Sequence, residues 1–139
     1  MQNIKVAVID NDKKFLSEIE EILLMGGYAP VVANNTPLAV DTVVQSKPDV
    51  ILLELKMPGK NGFELTNTIN RFFETRRIPL IAMSDFFKEE FGRLLDLCGM
   101  KRCLIKPFQP LDVIWAIENE IEESNQWDRH SVDITSIQP

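Results

Sequence analysis

Cysteine, histidine and long apolar runs are all scarce in this 139-residue chain, and each scarcity removes a class of protein. Cys98 and Cys103 are its only cysteines, too few for a four-ligand zinc site; with no mark of secretion they read as buried thiols, not a disulfide. The single histidine, His130, lies in a polar stretch and suits a solvated residue better than a phosphocarrier. The longest apolar runs, Val50 to Leu53 and Ile78 to Met83, fall far short of the roughly 20 residues that cross a bilayer. Met1-Gln2-Asn3 leads into a strand-like segment with no basic leader, so a soluble cytoplasmic protein with no membrane partner is expected. Positive charge is also in deficit. With 15 Lys and Arg against 21 Asp and Glu the net charge is -6, which argues against a nucleic-acid partner, because that affinity comes from clustered cations displacing counterions.

What is present is a composition 45% hydrophobic and a length that suits one domain. Five short apolar, β-branched segments recur: Ile4 to Ile9, Ala29 to Ala33, Val50 to Leu55, Ile78 to Met83 and Cys103 to Ile105. Between them lie helical spacings. Phe15, Leu16, Ile19, Ile22 and Leu23 follow Asp12 as a capping residue and stop at Gly26-Gly27. A second helix is expected to take Thr36 as its cap and Pro37 as its first residue and to end before Lys47-Pro48. A third is expected over about Gly62 to Glu74, a fourth near Phe86 to Leu97 with Gly99 as its stop, and a fifth from Pro110. Leu111, Ile114, Ile117 and Ile121 mark one face of the fifth, and the apolar spacing fades after Glu123. The expected organisation is a domain over residues 1–123 and a loosely ordered polar tail over 124–139. Alternating strands and helices, with central strands apolar on both faces, call for an α/β doubly wound sandwich: a five-stranded parallel sheet with helices on each side.

Such sheets hold ligands beyond the carboxyl ends of their strands, where strand order reverses. Those ends carry Asp10-Asn11-Asp12, Glu54, Ser84 and Lys106-Pro107. Each has an ordinary structural explanation alone, as a cap, a strand end or a solvated lysine. Together they place two acids, a hydroxyl and an ammonium at one crevice.

VAVIDND, DVILLELKMPGKNGFEL, IPLIAMS and CLIKPF, in this order and spacing, make the chain resemble the receiver domains of two-component response regulators over about residues 4 to 123. The resemblance implies a flavodoxin-like (βα)5 fold and a phosphorelay switch. In that switch an aspartate takes a phosphoryl group from a histidine kinase partner, and Mg²⁺ is held by the acceptor, an acid after the first strand and a backbone carbonyl. Carried over by position, Asp10 and Asn11 fall at the acid pair, Glu54 at the phosphoacceptor, Lys56 at the carbonyl, Ser84 at the switch hydroxyl and Lys106 at the phosphate-binding ammonium. A cis Lys106-Pro107 bond is implied too.

Four positions depart from the family pattern. Glu54 stands for the acceptor aspartate and extends its carboxylate by about 1.5 Å, enough to upset an in-line transfer that depends on close placement of the reacting atoms. Asn11 stands for the second acid, so the pocket, counting Asp10, Glu54 and Lys106, carries a formal -1 where the family pattern carries -2. A unit charge pair about 4 Å apart is worth roughly 4 kcal/mol at an effective dielectric near 20, so weak Mg²⁺ binding is expected through Asp10, Asn11, Glu54 and Lys56. Asp85 sets negative charge at the mouth of the pocket or caps the fourth helix. Cys103 stands where a rotating aromatic switch residue is typical, and a thiol has no ring to turn.

The expected role is therefore a stand-alone, pseudo-receiver response regulator that signals by protein contact through a degenerate site; a fragment of something longer fits the same residues. The longer Glu54 side chain is expected to reach Lys106 and Ser84 and mimic the phosphorylated acid. Partners would be a histidine kinase or another signalling protein, or a second copy meeting through the fourth helix, fifth strand and fifth helix. Phe87, Phe91, Lys101, Arg102, Trp115 and Glu118 belong to that face, while Phe72-Phe73 and Phe86-Phe87 are expected in the core. Two alternatives are a working phosphoacceptor at Glu54 and a phosphohydrolase of the haloacid-dehalogenase type using Asp10-Asn11-Asp12. The second lacks the later acid pair and the cap domain that this chemistry needs.

Overall fold

The β-branched and aliphatic runs form β1 (Lys5–Ile9), β2 (Ala29–Ala33), β3 (Val50–Glu54), β4 (Leu80–Ser84) and β5 (Arg102–Ile105). The amphipathic stretches form α1 (Lys13–Met25), α2 (Thr36–Ser46), α3 (Gly62–Arg71), α4 (Glu89–Leu97) and α5 (Pro110–Ile137). The structure, a computed structural model, describes residues 3–59, 61–72, 75–85 and 89–137, with side chains described outside 89–91 and 126–137. All strand pairings are parallel, in the order β2-β1-β3-β4-β5. This is the expected doubly wound sandwich.

Side chains alternate across each strand, so one sheet has two buried faces. Val6, Val8, Leu52 and Met83 pack under α1 and α5 against Leu16, Ile19, Val113 and Ile117. Ala7, Ile9, Ile51 and Leu53 pack on the other side against α2, α3 and α4, where Val43, Leu65, Ile69 and Leu95 meet them. Every residue of β3 and β4 is buried, and truncating one such leucine to alanine costs about 2–5 kcal/mol.

Local chemistry sets the ends of the elements. Asp12 Oδ1 accepts the N–H groups of Lys14 and Phe15 at 3.0 and 3.2 Å, so α1 starts where the sequence indicates. The cap of α2 is Asn35, not Thr36, because Asn35 Oδ1 is the oxygen that accepts the Leu38 N–H at 2.9 Å; Thr36 is already helical and its hydroxyl donates to the Pro58 carbonyl. Lys47 closes α2 at φ 48°, and Gly99, at φ 78°, follows α4. β4 starts at Leu80, two residues later than expected.

Two expectations fail outside the sheet. α3 ends at Arg71, and Phe72 is 40% exposed instead of lying in the core, because it falls past the last helical turn as an extended C-cap residue. Phe73, Phe86 and Phe87 lie outside the described residues, as does the Phe91 side chain. α5 does not end near Glu123 but continues to Ile137. Residues 124–137 contain no proline or glycine, so the backbone ladder continues although the apolar stripe has faded. His130 lies within that helical span.

Candidate functional site

β1 has β2 on one side and β3 on the other, so strand order reverses between β1 and β3 and a crevice opens beyond their C-terminal ends. It has a volume of about 570 Å³, and its lining includes Asp10, Asn11, Glu54, Lys56, Asp85 and Lys106. Asp10 follows β1, Glu54 ends β3, and Lys106 follows β5, so the sheet itself sets their spacing.

Lys106 is the hub. Its Nζ donates to Asp10 Oδ2 at 2.5 Å and to Glu54 Oε1 at 3.1 Å. Asp10 Oδ1 accepts the Asp12 N–H at 2.9 Å, so both oxygens of Asp10 are engaged. Glu54 Oε2 is buried and has no hydrogen-bond partner among the described residues. The acids are deep, with side chains 1% and 5% exposed, while the lysine side chain is 18% exposed. Burial pushes the Glu54 carboxyl above its ordinary value of 4.5; the hydrogen bond and charge of Lys106 oppose this, and the charges of Asp10 and Asp85 add to it. Burial also works against the Lys106 ammonium, but Asp10 and then Glu54 outweigh it and hold its pKa above the ordinary 10.5.

The remaining sequence candidates are less central. Ser84 is buried at the end of β4, and its carbonyl accepts the Lys106 N–H at 2.8 Å. The Lys106-Pro107 bond is cis. Asn11, Lys56 and Asp85 are exposed at the crevice. Cys103 is half-buried in β5 against the α2–α4 side of the core. Burial and then the charge of Glu54 raise its thiol pKa above the ordinary value.

Sequence reading missed two features. Phe15 was legible only as part of the apolar face of α1, yet its ring lies 4.1 Å from Lys106 Nζ, measured to the ring centroid. The other is the role of Gly62, legible only as the last glycine of MPGKNG and the start of the third helix: a Cβ there would stand 2.7 Å from Leu55 Cα and 2.8 Å from the Glu54 carbonyl oxygen. A side chain at 62 would push on the strand end that carries Glu54, so the first residue of α3 must be glycine for the helix to sit this close.

Comparison with known proteins gives one answer. Residues 6–118 match the family model of the response regulator receiver domain. The chain is 31% identical over 110 residues to the phosphate regulon transcriptional regulatory protein PhoB of Pseudomonas aeruginosa, an alignment covering 78% of this chain and 48% of PhoB. The chain spans about half the length of the curated relatives it matches. In fold it is similar to the chemotaxis protein CheY4 of Vibrio cholerae, with a TM-score of 0.82 at 20% identity over 86% of this chain and 99% of that one. It is also similar to the receiver domain of the sensor histidine kinase PA1611 from Pseudomonas aeruginosa PAO1, a structure with a magnesium ion coordinated in its active site cleft. There the TM-score is 0.78 at 21% identity over 87% and 99% of the two chains. With its β2-β1-β3-β4-β5 sheet and the match over residues 6–118, the chain belongs to the response regulator receiver domain family of two-component signalling.

Proposed function

We propose that this receiver domain has a degenerate phosphorylation site and signals by protein contact, with the Glu54–Lys106 ion pair standing in for the phosphorylated acid. The observation that carries the reading is the state of the Glu54 carboxylate: one oxygen is held by Lys106 and the other is buried. An anionic donor approaching in line would need an exposed oxygen and would meet Asp85 at the mouth.

Mg²⁺ fits this donor set, but weakly. Glu54 Oε2 is a buried oxygen without a partner among the described residues, and Asp10, Asn11 and the Lys56 carbonyl would be the other ligands. Asn11 is a neutral amide, and both carboxylates already face the Lys106 ammonium, so a dication would compete with a resident cation. When bound it would supply positive charge against an incoming phosphoryl group. Without it, Lys106 supplies that charge and Asp10 holds Lys106 in place.

The contact surface in this reading is the α4–β5–α5 face. Leu94, Leu97, Ile105, Leu111 and Trp115 are 42%, 74%, 41%, 77% and 60% exposed on it, a concentration of apolar surface that suits a partner or a second copy. Lys101 and Glu118 are exposed beside them. The partner would be a histidine kinase or another signalling protein in the cytoplasm; no helix among the described residues is long and apolar enough to cross a membrane. Sedimentation of the natural protein beside Trp115→Glu tests self-association: a monomer in both would remove the second copy as the partner. A phosphohydrolase would need Asp10 as an open nucleophile, whereas Asp10 is 1% exposed with both oxygens engaged.

Intact mass after incubation with Mg²⁺ and acetyl phosphate tests the central claim. The natural protein is expected to gain no phosphoryl group and a Glu54→Asp plus Asn11→Asp variant to gain one. An adduct on the natural protein that disappears in Glu54→Gln would make Glu54 a working acceptor and overturn the reading.

A further inference from the structure

The Lys106 ammonium is enclosed on three sides, and only two of them are acids. The third is the face of Phe15, 4.1 Å from Nζ to the ring centroid. We propose that Phe15 is a positioning residue that seats Lys106 on Glu54 and Asp10, so that the setting of the pocket depends on an aromatic ring at the start of α1. The inference deepens the reading of the site as held by an ion pair, and it rests on that reading.

The ring is itself fixed from two directions. Its backbone N–H is tied to Asp12 Oδ1 at 3.2 Å in the cap of α1. Its side chain meets Phe108 edge to face, with centroids 5.9 Å apart and planes at 80°. Phe108 follows Lys106-Pro107, so the loop that delivers the lysine also braces the ring beneath it. Residues 10 to 15 thus supply an acid and a π face to one ammonium, and Asp12 links the two ends, its N–H donating to Asp10 Oδ1 and its Oδ1 accepting the Phe15 N–H.

A ring face carries a negative quadrupole and holds no water, so it favours the cation without neutralising it. An aliphatic side chain of similar size would cover the same area and lack that attraction. The net charge of the pocket therefore stays available to Glu54 and Asp10, while Lys106 is held against moving outward toward solvent.

The test reads Lys106 directly. In the natural protein, NMR should find the Lys106 ε-methylene protons shifted upfield by the ring beneath them, relative to the exposed Lys47. Competitive labelling of amines with acetic anhydride should rank Lys106 among the slowest. In Phe15→Leu the upfield shift should vanish and Lys106 labelling should rise about 3- to 10-fold, while Phe15→Tyr should restore both. The proposal is overturned by an unshifted Lys106 in the natural protein, by unchanged labelling in the leucine variant, or by a tyrosine variant that labels as fast as the leucine one. The first of these needs no variant, so a poorly folded Phe15→Leu leaves the proposal open to refutation. A phosphoryl adduct on natural Glu54 would sink the ion-pair reading while leaving the ring shift in place, so the two failures are distinguishable.

Discussion

Two ion triads lie at opposite ends of β5, and they are built on different terms. At one end Lys106 serves Asp10 and Glu54; at the other Arg102 serves Glu120 and Glu123. The cations are equally covered, each side chain 18% exposed, and each lies near an aromatic ring, Phe15 for Lys106 and Trp115 for Arg102. The acids differ. Both partners of Lys106 are buried, whereas Glu120 is 8% and Glu123 43% exposed. Geometry differs as well: Arg102 offers Nη1 to Glu120 at 2.9 Å and Nη2 to Glu123 at 2.7 Å, while Lys106 shares one nitrogen between two acids. A guanidinium fork spreads its donors over two acids, Nη1 reaching Glu123 Oε2 as well at 3.4 Å, and one of those acids is half exposed. A lone ammonium between two buried acids leaves one oxygen, Glu54 Oε2, without a partner among the described residues. The Arg102 triad therefore reads as a clasp between β5 and α5, and the Lys106 triad as a site.

Removing each cation should separate them most sharply. Lys106→Met leaves two buried carboxylates facing each other and should lower unfolding stability by about 3 kcal/mol at neutral pH, the cost typical of breaking a buried pair. Arg102→Met leaves only Glu120 buried and unpaired, because Glu123 turns to solvent, and should cost about 1.5 kcal/mol. Urea titrations measure both; equal losses would mean that the depth of the acids does not matter.

The pH dependence should sharpen the contrast within the clasp. Glu120 is raised by burial, against the hydrogen bond and charge of Arg102, so it binds its proton more tightly folded than unfolded. Its contribution is full below the ordinary value of 4.5 and falls as pH rises through the raised folded value. Glu54 has the same sign, also because of burial. Glu123 is lowered by its hydrogen bond to Arg102, so its contribution is present above 4.5 and is lost as pH falls through the lowered value. Melting curves across this range should show Glu120→Gln and Glu54→Gln gaining on the natural protein as pH rises. Glu123→Gln, the smallest effect because its carboxylate is in water, should lose on it. A common direction for all three would break the distinction.

The fold was legible because its signals are local or periodic. The Asp12 cap and the apolar face of α1 appear where the spacing puts them, and the five strands begin within two residues of it. Errors came where a local signal has two readings. A residue next to the true cap looks like a cap, as Thr36 does beside Asn35, and an aromatic past a helix end looks like core, as Phe72 does. In α5 the apolar stripe fades after Glu123 while the helix itself continues to Ile137.

The chain order of Asp10, Glu54 and Lys106 at strand ends was enough to name them, because a parallel sheet brings the carboxyl ends of its strands together whatever lies between. Sequence also supplied the family through motifs that a linear pattern carries. Which oxygen meets which nitrogen, and that Phe15 lies over Lys106 while Arg102 reaches Glu120 and Glu123, depended on side chains from elements 18 to 96 residues apart. Such contacts leave no periodic trace in the chain, since their distances are set by how helices settle on the sheet, so the tertiary structure alone decided them.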